Sequence, residues 1–115
     1  MNKVVFFVFR PDPMCFMHAI LNAMDLEEKG MWGEMVIEGE ATKLVPEVSR
    51  PDHFLNSLYL KVKQRGMIYG ACLACSTKMG VAEAIAAEDI PLIGTMSGHP
   101  PMAPFIKQEY TVITI

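Results

Sequence analysis

A chain of 115 residues has room for one domain with a single core, burying roughly two-thirds of the surface that its unfolded form exposes. Apolar residues make up 51% and mean hydropathy is +0.25, which points to a sheet covered on both faces, an oligomer interface, or both. The net charge of −3, with acidic and basic residues scattered, leaves no electrostatic footprint for nucleic acid or an anionic membrane.

Lys3 to Phe9 is a continuous β-branched and aromatic run, the pattern of a strand buried on both faces. It is too short for a signal-peptide core or a membrane span, and Arg10-Pro11-Asp12 stops it. Asp12 suits an N-cap and Pro13 the first helical position, so a helix is predicted from Pro13 to about Lys29, with Gly30 as its stop. Phe16, Ala19, Ile20, Ala23 and Met24 give it an apolar face; Cys15, His18, Asn22 and Asp25 form a polar stripe.

Glu34 to Glu38 reads as strand two, followed by an irregular turn over Gly39 to Thr42. Ser49-Arg50-Pro51-Asp52 has the form of a capping box, with Phe54, Leu55, Leu58, Tyr59 and Val62 at helical spacing behind it and Gly66 as the stop. Met67 to Ala71 is strand three, Lys78 to Ala87 a helix, Pro91 to Thr95 strand four, Met102 to Gln108 a short helix, and Tyr110 to Ile115 strand five. Strands alternating with helices predict one domain: a three-layer α/β/α sandwich around a mostly parallel five-stranded sheet. Ligands of such sheets gather beyond the carboxyl ends of the strands.

One of those ends carries Cys72-Leu73-Ala74-Cys75. A strand that hands over to a helix N-terminus offers unpaired N–H groups and a positive dipole end, which favour a thiolate. Lys78 adds a nearby positive charge, and the pattern predicts a cysteine of lowered pKa. The plainer reading is two small side chains packed under a helix. A thioredoxin places its C-x-x-C after the first strand of its domain, whereas this pair follows the third. With Cys15 the chain has three cysteines, an odd number that argues against a disulfide framework and for a cytoplasmic setting.

The stretch from Cys72 to Gly80-Val81, with an apolar strand before it, resembles the DsrE/DsrF-like family of small sulfur-relay proteins, whose cysteine stands eight positions before such a glycine. The likeness extends to the N-terminal strand and helix and to Ile37-Glu38-Gly39-Glu40-Ala41. It implies a cytoplasmic homo-oligomer, often trimeric or hexameric. It also implies that Cys72 accepts sulfane sulfur from a donor protein as a persulfide and passes it to an acceptor, with no cofactor. Many members of that family lack the second cysteine; here Cys75 is placed to resolve Cys72 as a disulfide, which would make the site a redox switch.

Two rival groupings stand beside it. Cys15 and His18 share a helix face that starts at the same sheet edge, so Cys15, His18, Cys72 and Cys75 compose a Cys₃His set of the kind zinc takes; the plainer reading is a polar stripe. Arg10 ends strand one within reach of an anionic sulfur group, and His99, in the loop after strand four, is a potential general acid or base. Their plainer readings are a rim arginine paired with a neighbour and a solvated loop histidine. The ten methionines read as core and interface filler.

Overall fold

The computed structural model describes residues 1–115 and contains one five-stranded sheet. The strands are β1 (Lys3–Val8), β2 (Trp32–Ile37), β3 (Ile68–Cys72), β4 (Leu92–Ile93) and β5 (Thr111–Thr114). Every pairing is parallel, in the order β4-β3-β2-β1-β5. The chain thus steps from β1 through β4 in one direction, then crosses back to lay β5 beside β1. Right-handed crossovers in one direction put their helices on one face, and the return puts its helix on the other.

The packing follows that rule. The helices before the return are α1 (Pro13–Glu28), α2 (Leu44–Val48), α3 (Asn56–Gln64), α4 (Leu73–Lys78) and α5 (Ala82–Ala87). Phe16 and Ile20 of α1, Val45 of α2, Tyr59 and Val62 of α3 and Ile85 of α5 are buried in one core with Phe6, Val8, Met35, Ile37 and Ala71 of the sheet. The opposite face carries only α6 (Ala103–Lys107), whose Phe105 packs on Val5, Phe7 and Val36. Two carboxylates, Glu34 and Glu38, are buried on or beside that thinly covered face.

Local chemistry explains the boundaries. Asp12 caps α1 as the sequence suggests, its Oδ1 accepting the Met14 N–H at 2.8 Å. The capping box at Ser49 does not form. A 3₁₀ turn over Gly39–Lys43 runs directly into α2, and the Ser49 hydroxyl donates back to the Pro46 carbonyl at 3.0 Å. Residues 49–55 therefore make turns, α3 begins at Asn56, and Phe54 is 66% exposed instead of joining the core. The single helix expected from Lys78 is two, α4 and α5, and the first of them begins at Leu73, immediately after Cys72. No helix is long and apolar enough to cross a membrane.

Candidate functional site

The sheet brings Cys72 to Glu38 through an irregularity in β3. Between β2 and β3 the register shifts: Met35 pairs with Ile68, but Val36 pairs with Gly70 and Ile37 with Ala71, so Tyr69 is the extra residue. A bulge of this kind re-aims the side chains that follow it. Ile37 and Ala71 now share the core face, and one step further along the strands Glu38 and Cys72 share the opposite one. Without the extra residue Cys72 would lie on the other face from Glu38.

Cys72 then serves as the N-cap of α4: its Sγ accepts the Cys75 N–H at 3.3 Å, which places both sulfurs on the first turn of that helix. His99 arrives from the loop after β4. Ser97 and Gly98 take φ values of 51° and 91°, and Met96 and His99 exchange two backbone hydrogen bonds of 2.9 Å, the mark of a tight hairpin turn with both central residues left-handed. The turn is pinned over α4 by the Ala74 N–H, which donates to the Gly98 carbonyl at 2.8 Å. His99 Nδ1 thereby sits 3.1 Å from Cys72 Sγ and 3.8 Å from Cys75 Sγ.

One donor atom each from Glu38, Cys72, Cys75 and His99 lie within 4.8 Å of one another. Glu38 and Cys72 are buried, Cys75 and His99 half-buried. Glu38 and His99 also line a cleft of about 450 Å³ whose other walls include Phe9, Met96, Pro101 and Met102. The cleft opens at the carboxyl ends of the strands, where parallel sheets keep their ligand sites.

The expected electrostatics of Cys72 are reversed. Burial, reinforced by the Cys75 side chain, pushes its thiol up to about 12, and the hydrogen bond from the Cys75 N–H offsets this only in part. Glu38 is also raised, burial outweighing the His99 imidazole and the Cys72 thiol that favour its charged form. The helix start is present as the sequence suggested, but a six-residue helix with two other acidic groups beside the sulfur does not overcome desolvation. Lys78 gives no help: it is exposed in the last turn of α4, with no ion pair. Arg10 is likewise exposed and unpaired, outside the cluster.

Cys15 and His18 also lie outside the cluster, so the Cys₃His grouping does not assemble. Cys15 is half-buried and His18 is exposed on α1. Their places are taken by Glu38 and His99. Sequence reasoning has both His99 and Glu38 at this edge but gives Glu38 no role beyond flanking the turn after strand two; its signal is its position, the first residue beyond β2, in phase with Glu34 and Val36. All three cysteines are free thiols.

No family model matches the chain. It is 29% identical over 119 positions to an uncharacterized protein of Methanocaldococcus jannaschii, an alignment covering 98% of this chain and 95% of that one. An uncharacterized protein of Archaeoglobus fulgidus is 42% identical over 41 residues, 36% of this chain and 67% of its own length, which places the two in one family. Among solved structures, a conserved protein of unknown function from Bacteroides thetaiotaomicron superposes with a TM-score of 0.73 at 22% identity, over 99% of this chain and 95% of its own. That likeness supports the fold.

Proposed function

We propose that this is a metal-binding protein in which Glu38, Cys72, Cys75 and His99 hold one divalent ion of borderline-soft character, zinc before others. The observation that carries the reading is the convergence of two sulfurs, one imidazole nitrogen and one carboxylate oxygen within 4.8 Å of one another. Zinc bond lengths of about 2.0–2.3 Å put tetrahedral neighbours roughly 3.3–3.8 Å apart. The imidazole-to-sulfur distances of 3.1 and 3.8 Å bracket that range, so small side-chain movements suffice. Mixed sulfur and nitrogen donors select zinc or its neighbours over magnesium or calcium. The burial that disfavours the charged forms of Glu38 and Cys72 fits the same reading, because a divalent cation supplies the compensating charge that this site lacks.

Protein purified without chelator should carry one zinc per chain, and Cys72→Ser, Cys75→Ser and His99→Ala should each lose it. Wild-type protein that retains no zinc after incubation and dialysis, or variants that retain as much as wild type, contradicts the proposal.

A second reading is the sulfur relay that the DsrE/DsrF-like resemblance suggests, with Cys72 as persulfide carrier and donor and acceptor proteins as partners. It is favoured by the hydrogen bond from the Cys75 N–H to Cys72 Sγ and by the imidazole beside that sulfur, a base for the thiol. Mass spectrometry of metal-free protein after exposure to a sulfane-sulfur donor should then find one added sulfur on Cys72, and none on Cys72→Ser. Under either reading we propose a homo-oligomer: Tyr69, on the thinly covered face of the sheet, and Ile106 on α6 are 44% and 62% exposed. Light scattering that reports a monomer counts against it.

A further inference from the structure

Glu38 and His99 belong both to the four-donor set and to the 450 Å³ cleft; Cys72 and Cys75 belong only to the set. The oxygen–nitrogen side of the set therefore faces the cleft. Ligand sites usually run to roughly 300–1,000 Å³, so the space suits a small molecule. Its wall is apolar, and Phe9 and Met96 remain 39% and 52% exposed, surface that an occupant would cover. No lysine or arginine lines it. The only polar side chains in its wall are those of Glu38 and His99.

Among the four donors the carboxylate is the hard one, in a set whose other members suit a softer ion. We infer that the cleft admits a small thiol with an apolar body, whose sulfur replaces the Glu38 carboxylate as the fourth donor to the metal. The inference rests on the metal reading above. In the exchange one metal–oxygen bond breaks and one metal–sulfur bond forms. The thiol proton leaves to solvent at the cleft mouth, and nothing is oxidised or reduced. The apolar wall then sets preference by burial: a phenyl ring taken out of water favours binding by about 10–100-fold over a thiol with a hydroxyl tail.

The test uses the full chain loaded anaerobically with Co²⁺ in place of zinc, titrated with benzyl mercaptan and with 2-mercaptoethanol. Near-ultraviolet thiolate-to-cobalt absorption should grow by half as two thiolate ligands become three. Benzyl mercaptan should bind about 10–100-fold tighter than 2-mercaptoethanol, and Ala103→Trp, at the cleft wall, should remove that preference while leaving the cobalt spectrum of the thiol-free protein unchanged. Glu38→Ala should bind the thiol more tightly. Cobalt bands that no thiol alters, thiols that strip the metal, or equal affinities for the two thiols overturn the inference and leave the metal reading standing. Protein that gives no thiolate-bound cobalt spectrum at all overturns both.

Discussion

Gly70 lies between the bulge and Cys72, and replacing it with alanine tests how β4 is held against β3. A Cβ at this position would collide with Ile93 Cδ1 and meet the Pro91 carbonyl oxygen at 2.8 Å. The isoleucine tip can rotate away, but the carbonyl is backbone and already accepts the Ala71 N–H at 2.9 Å. Restoring ordinary contact of about 3.4 Å moves β4 outward by roughly 0.6 Å, which stretches that hydrogen bond to about 3.5 Å. Overpacking of this kind costs about 1–3 kcal/mol, offset by about 0.4–1 kcal/mol from the stiffer unfolded chain, for a net loss of up to about 2.6 kcal/mol. The displaced strand leads straight into the turn that carries His99, so zinc affinity should fall as well. Urea unfolding with and without zinc, together with a competitive zinc titration, measures both. A variant that is more stable than wild type, as an unhindered glycine-to-alanine change in a strand would be, and that binds zinc normally refutes this packing of β4.

Glu38→Gln should act with opposite signs on two properties. Burial raises the Glu38 pKa, so the stability it contributes is complete below the ordinary 4.5 and is lost as the pH rises through the folded value, where the buried charge becomes a cost. The metal-free variant should therefore unfold at a urea midpoint no lower than wild type, while its zinc affinity drops by at least about tenfold; a lower midpoint in metal-free protein contradicts this. Raising the pH should weaken the metal-free protein. The Cys72 thiol is held up to about 12 from 9.0, and the Tyr110 hydroxyl up to about 12 from 10.0 by burial and the Glu34 carboxylate. Folded protein thus binds these protons more tightly, and their contribution, complete below about 9, fades as the pH climbs toward 12. Zinc-loaded protein, whose Cys72 has already given up its proton, should lose less between pH 8.5 and 10.5 in the same unfolding assay, and equal losses argue against thiolate ligation. Cys15→Ser and His18→Ala should leave one zinc per chain by elemental analysis, since neither side chain belongs to the four-donor set.

The order of elements and the sheet edge that carries the four-donor set were readable because they depend on local signals: the apolar run of β1, the Asp12-Pro13 cap, and Cys72 at a strand-to-helix handover. What escaped sequence reasoning depends on contacts distant in the chain. The bulge at Tyr69 is a feature of the pairing between β2 and β3, with the Tyr69 ring turned to Phe105 of α6 at 4.9 Å, and no periodicity announces it. Yet it decides which face Cys72 takes and so makes Glu38 its neighbour. The failed capping box at Ser49 has a similar origin, because α2 continues directly from the 3₁₀ turn and uses the serine at its own end. The Cys72 pKa runs opposite to the sequence expectation because dipole and lysine arguments count charges along the chain, whereas desolvation is a property of the folded surroundings.

X-ray absorption at the zinc edge of the loaded protein addresses the metal proposal most directly. Two sulfur scatterers at about 2.3 Å and two nitrogen or oxygen scatterers at about 2.0–2.2 Å are the predicted shell, the nitrogen from imidazole. A shell with no sulfur, or with one, contradicts the assignment of Cys72 and Cys75 as ligands to a common ion.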